Sequence, residues 1–103
     1  MTFRPIPIVL TLLAGIAQGA PRVKQSIEIS KVWSGHPVGF SLLTTKTRQF
    51  AAFYDDKRQL TVVGRDLGSD TWQERKVLDT SVGWDSHNYV TMAEDADGYL
   101  HLS

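Results

Sequence analysis

Downstream of residue 37 the chain is cut into short apolar runs by a polar turn about every ten residues, and none of these runs reaches the length of an ordinary helix. Val38 to Leu43 is strand-sized and closes on Thr44-Thr45-Lys46-Thr47. Gln49 to Tyr54 follows and ends at Asp55-Asp56-Lys57-Arg58, a polar turn with aspartate where turn chemistry favours it. Gln59 to Arg65 alternates around Leu60, Val62 and Val63, then breaks at Asp66-Leu67-Gly68-Ser69-Asp70-Thr71. Trp72 to Leu78 is the next run. Four runs rich in β-branched and aromatic residues at this spacing predict a four-stranded antiparallel meander. A helix over residues 48–56 has some support from periodicity, but Asp55-Asp56 and the flanking threonines argue against it.

A second unit starts after residue 82. Tyr89-Val90-Thr91-Met92-Ala93 is followed by Asp95-Ala96-Asp97-Gly98, whose Asp-Gly end suits a hairpin, and Tyr99-Leu100-His101-Leu102-Ser103 alternates up to the last residue. The expected fold class is therefore all-β: a four-stranded antiparallel blade over residues 32–82 and the first hairpin of a second blade over residues 83–103. Such a pattern predicts a truncated β-propeller, and an array of this kind needs its remaining blades to be stable.

The N-terminal residues read differently. Arg4, the apolar run over residues 8–17, and the small residues Ala17 and Gly19 follow the order of a secretory signal peptide, expected over residues 1–19. A helical run of ten residues spans about 15 Å, half the hydrocarbon core, so no membrane span is expected. Residues 20–31 form a leader, and across residues 22–34 Ile27, Ile29 and Val32 hint at an alternating strand. The expected location is secreted, periplasmic or in the cell envelope. The 103 residues contain no cysteine, which removes disulfides, thiolate nucleophiles and Cys-type zinc sites. Eleven Lys+Arg balance eleven Asp+Glu, and removing the signal takes away only Arg4. No basic field exists to hold nucleic acid by charge.

The densest polar and aromatic cluster is Trp84-Asp85-Ser86-His87-Asn88-Tyr89. His87 can act as a general acid or base near neutral pH, and Asp85 or Asn88 could fix its tautomer. The same residues also suit a hydrogen-bonded turn. His36, in Trp33-Ser34-Gly35-His36-Pro37, likewise precedes a strand and could share a rim with His87. His101 alternates with Leu100 and Leu102 and so points away from them, which suits a packed pleat position. Three histidines without a repeated carboxylate spacing predict no metal site, and Asp95, Asp97 and Gly98 fit turn chemistry better than a calcium loop. Trp33, Trp72 and Trp84 could stack on sugar rings, although Trp72, directly after a turn, suits a structural role.

Gly64-Arg65-Asp66-Leu67-Gly68-Ser69-Asp70-Thr71-Trp72 resembles a degenerate Asp-box, the turn between the outer strands of BNR-type blades, with one extra residue and with Gly64 where Ser or Thr is usual. The segments over residues 32–40, 52–60, 83–89 and 97–102 are similar in order and spacing to BNR repeat-containing proteins. These are secreted bacterial propellers that include ulvan lyase-like polysaccharide lyases. The resemblance covers residues 31–103, and Asp85-Ser86-His87-Asn88 is its most specific part.

The resemblance implies a polysaccharide substrate and places His87 on the active-site face as the catalytic residue; the reading of the residues adds Asn88, His36 and Trp84 as expected substrate-binding neighbours. It implies lyase-like β-elimination on a uronic-acid glycan, with the other site residues in later blades, so that this chain alone is inactive. Such chemistry needs no cofactor, and a structural divalent ion is left open. A sialidase-like glycoside hydrolase and a non-catalytic glycan-binding propeller are the alternatives.

Overall fold

The computed structural model describes residues 2, 4, 19–35, 39–81 and 87–103. Most of the expected signal peptide lies outside the described residues, as do His36 and Trp84. Among the described residues every regular element is a strand. β1 (Ser41–Thr44), β2 (Arg48–Tyr54), β3 (Gln59–Asp66) and β4 (Glu74–Ser81) form one antiparallel sheet in the order β1-β2-β3-β4. β5 (Met92–Glu94) and β6 (Leu100–Leu102) form a separate antiparallel hairpin. The expected all-β meander and the following hairpin are both present.

The register explains why both faces of the first sheet carry apolar residues. Phe50, Ala52 and Tyr54 lie opposite Gly64, Val62 and Leu60, while Ala51 and Phe53 lie opposite Val63 and Thr61. Because side chains alternate, these pairs fall on two different faces. Ala52, Tyr54 and Leu60 form one apolar cluster with Val90, and Val62, Leu78, Met92 and Leu102 pack against it. The second hairpin thus contributes to the core of the first sheet. Ala51, Phe53 and Val63 form the other cluster, closed by the half-buried Trp72. That placement gives Trp72 the structural role its sequence position suggested.

The outer strand differs in kind. β4 is exposed along most of its length and carries Glu74, Arg75, Lys76 and Asp79. Charged residues on an edge strand discourage addition of another strand. Gln59 pairs with Ser81 and Thr61 with Val77, so β4 advances four positions while β3 advances two. This bulge accompanies the inward turn of Leu78, the half-buried residue of the strand.

The leader does not form the strand suggested by Ile27, Ile29 and Val32. Only Val32 pairs, through a single bridge to Asp55. β1 occupies the β2 edge over most of its length, and Val32 pairs beyond the end of that ladder. Residues 25–30 instead run over the sheet face, tied by Gln25 to Asp70 (3.3 Å) and by Arg75 to Ser30 Oγ (3.1 Å).

The two hairpin turns repeat one device forty residues apart. At the β2–β3 turn, Asp55 Oδ1 accepts the Lys57 and Gln59 N–H groups at 2.9 and 3.0 Å. At the β5–β6 turn, Asp95 Oδ1 accepts the Asp97 and Tyr99 N–H groups, both at 2.9 Å. The backbone bonds match as well. Arg58 N–H donates to Asp55 C=O and Gly98 N–H to Asp95 C=O, while each aspartate N–H donates to the residue four places on. Arg58 and Gly98 both have positive φ, 66° and 84°. The sixth residue completes each turn: the Thr61 hydroxyl donates to Asp55 Oδ2 at 3.3 Å, and His101 Nε2 lies 2.7 Å from Asp95 Oδ2.

Candidate functional site

The residues leading into β1 and those leading into β5 meet. Gly39 N–H donates to the Asn88 carbonyl at 3.2 Å. A Cβ on Gly39 would stand 3.0 Å from Tyr89 Cδ1 and 3.3 Å from its Cα, so any larger residue there would push Tyr89 aside by a few tenths of an ångström. His87 occupies an exposed turn position and Asn88 is half-buried beside it. Two aromatic side chains flank this junction, Phe40 and Tyr89, and both are largely exposed.

The other end of the first loop is anchored by the β2–β3 turn. Trp33 N–H donates to the Asp55 carbonyl at 3.1 Å, and the Arg58 guanidinium stands 5.9 Å from the centre of the Trp33 ring. Between the leader, this loop and β1–β2 lies a cleft of about 630 Å³, lined among others by Ile29, Trp33, Phe40, Leu42 and Phe53. Its size falls in the range of small-molecule sites, and Ser30, Ser34 and Ser41 place hydroxyl-bearing residues along an otherwise apolar wall.

Asp55 is the electrostatic centre under this loop. It is only 4% exposed. Burial pushes its pKa up, but the Gln59 and Lys57 N–H groups, the Thr61 hydroxyl and the Arg75 charge together outweigh that, holding the carboxyl below its ordinary value. Arg75 lies 3.6 Å from Oδ2 and also reaches Ser30, so one buried carboxylate connects turn, outer strand and leader. Asp95 is held low chiefly by the His101 hydrogen bond and then by the Tyr99 N–H.

Sequence reasoning singled out His87, Asn88, His36 and Trp84. The structure places His87 and Asn88 at the junction with Gly39, while His36 and Trp84 lie outside the described residues. It missed Phe40 and Tyr89, which read as strand residues rather than exposed aromatics. It also missed the Asp95–His101 pair, having assigned one residue to a turn and the other to a pleat. The available signal was the matching interval of six between Asp55 and Thr61 across a turn of the same shape. Among the described residues no group of three or more His, Cys, Asp or Glu side chains is placed to hold a metal ion.

No curated protein matches the chain significantly. The BNR repeat-containing family does match, over residues 48–103, beginning at the first residue of β2 and running through the second hairpin. Residues 31–47, included in the resemblance drawn from sequence, lie outside that match. A match over more than half of its length, spanning both Asp-clasped hairpins, makes this chain a member of the BNR repeat-containing family.

Proposed function

We propose that this chain is part of a secreted β-propeller that acts on a polysaccharide by lyase-type elimination at a uronic-acid residue. The observation that carries the reading is the forty-residue repeat of the Asp-clasped hairpin in a member of the BNR repeat-containing family. Repeats of about this period are the unit of blade arrays. In such an array each four-stranded sheet is one blade, and the charged β4 edge is its solvent-facing rim.

The chemistry assigned to the site is β-elimination. A base removes the proton at C5 of the uronate, the C4–O bond breaks, a double bond forms between C4 and C5, and an acid protonates the departing oxygen. A third group neutralises the carboxylate so that charge can develop beside it. His87 is the group of this chain proposed for the role of base or of carboxylate neutraliser, and its exposure at a turn leaves it reachable. Asn88, His36 and Trp84 are the proposed contacts to the sugar. Remaining blades supply the other groups.

The test is His87→Ala in the intact protein, followed by the ultraviolet absorbance of unsaturated uronate products. A general acid–base group contributes about 10²- to 10⁴-fold, so a loss in that range is expected. Unchanged turnover removes His87 from the mechanism. Cleavage that gives reducing ends without unsaturated product marks a hydrolase instead, and binding without cleavage marks a non-catalytic glycan receptor.

A further inference from the structure

We infer that Gly39 is a positioning residue for His87: it fixes where the imidazole stands without itself touching substrate, an inference that rests on the lyase reading above. His87 occupies an exposed turn position, and a group that exchanges protons with a substrate has to be held within about 0.5 Å of its working geometry. The three residues that follow it supply the hold. Asn88 accepts the Gly39 N–H on its carbonyl at 3.2 Å, Tyr89 packs on Gly39, and Val90 is buried in the cluster with Ala52, Tyr54 and Leu60. Two of these three contacts go to Gly39.

Gly39 can serve as a fixed point because of what comes after it. β1 begins two residues later, and its first residue, Ser41, pairs with the fully buried Ala52 of β2. A sheet anchored in the core thus leads directly to Gly39, and Gly39 meets the backbone one and two residues beyond His87. The missing side chain is part of the contact. The three atoms nearest to a Cβ at position 39 all belong to Tyr89, so the disturbance falls first on the segment that carries His87. The Tyr89 ring is 68% exposed and can swing outward, but its Cα, 3.3 Å away, moves only with its neighbours. A methyl group on Gly39 therefore displaces that backbone by a few tenths of an ångström, and His87, two residues off, moves with it. Small displacements of a reacting group lower the rate of the chemical step more than they lower binding.

The test compares Gly39→Ala and Gly39→Val with the unaltered intact protein, and takes Gly98→Ala, a turn glycine of the second hairpin, as the stability control. Three quantities are read: release of unsaturated product from polygalacturonate, alginate and hyaluronate, the melting temperature, and the NMR resonances of the histidine rings. In Gly39→Ala kcat is expected to fall about tenfold, and further in Gly39→Val, with KM held within about twofold. The His87 ring resonances should shift while those of His101, bonded to Asp95, stay in place. Gly98→Ala should lower the melting temperature and leave kcat as it was. Unchanged kcat and unmoved His87 resonances in both Gly39 variants overturn the assignment and leave the lyase reading standing. A loss of melting temperature with the His87 resonances unmoved also overturns it, since Gly39 then serves packing, as does a rise in KM alone. If the unaltered protein releases no unsaturated product from any of the three polymers, the lyase reading falls, and the His87 resonances still decide whether Gly39 places the ring.

Discussion

The turn at Asp55 and the turn at Asp95 make the same hydrogen bonds in two different environments. Asp55 is buried, faces Arg75, and connects to the leader through Trp33 and Ser30. The Asp95 side chain is 37% exposed, and among the described residues its hydrogen bonds run within its own hairpin, to the Asp97 and Tyr99 N–H groups and to His101. Local geometry is thus set by the aspartate and the residues that follow it, whatever surrounds them. An Asx-type bond from a carboxylate to the backbone two and four residues on is a short-range interaction, and it forms in either setting. What the environment changes is the cost of losing it. In water the freed N–H groups find new partners; under a sheet they do not.

The largest expected effect follows directly. Asp55→Ala removes the acceptor of the Lys57 and Gln59 N–H groups, leaves the Thr61 hydroxyl only the Gln59 carbonyl, and takes the counter-charge from the partly exposed Arg75. A donor left without an acceptor under the sheet costs about 1–3 kcal/mol, a large share of the whole stability of a small domain. Denaturant unfolding of Asp55→Ala and Asp95→Ala should separate the two turns widely. Equal losses would break the comparison. Acid tests both turns. Both carboxyls have depressed pKa values in the folded chain, so each contributes stability above its ordinary value of 3.8 that is lost as pH falls through the folded value. Removing either aspartate should flatten the acid limb below about pH 4.

Much of this architecture was readable in advance. The strand-sized runs and the polar turns at residues 55–58, 66–71 and 95–98 were all visible, because they depend on residue types close in sequence. What could not be read were relations across the sheet. Asp55 looks like any turn aspartate until Arg75 arrives from β4 and the leader closes above it. Ile27 and Ile29 look like strand residues, yet the chain before β1 pairs with the sheet only through the single bridge at Val32. At the candidate site, the chemistry of His87 and Asn88 was legible as residue type, but their contact with Gly39 depends on two loops nearly fifty residues apart. Phe40 and Tyr89 were hidden for the converse reason: a hydropathy pattern predicts burial and cannot announce an aromatic left outside.

A middle-sized effect concerns the third residue after each aspartate, where the chain needs positive φ. Gly98 supplies it without strain, whereas Arg58 adopts 66° with a side chain attached. The left-handed region costs an ordinary residue about 1–2 kcal/mol, partly recovered through the smaller freedom of its unfolded chain. Gly98→Ala should therefore lose about 1 kcal/mol in thermal or denaturant unfolding. Arg58→Gly should gain no more than that, because it also removes the guanidinium from the Trp33 ring. A large loss in Arg58→Gly would show that the ring contact outweighs the backbone strain and would give the first turn a second anchor.

The smallest effect separates the sixth residues, Thr61 and His101. The two occupy corresponding positions on corresponding carboxylate oxygens, but Thr61 is fully buried and His101 is exposed. An exposed ion pair or hydrogen bond contributes little to global stability, since water and salt compete for both partners. It can still govern local opening in a hairpin whose strands are three residues long, short enough to be marginal without such a tie. His101→Ala should leave the unfolding midpoint nearly unchanged while speeding amide hydrogen exchange at Asp97 and Tyr99, the N–H groups that bond Asp95 Oδ1. The amides of Lys57 and Gln59 in the first turn serve as the internal reference and should exchange as slowly as before. If all four amides speed up together, opening of the second hairpin is coupled to the first sheet through Val90, Met92 and Leu102, and the two turns belong to one cooperative unit rather than two.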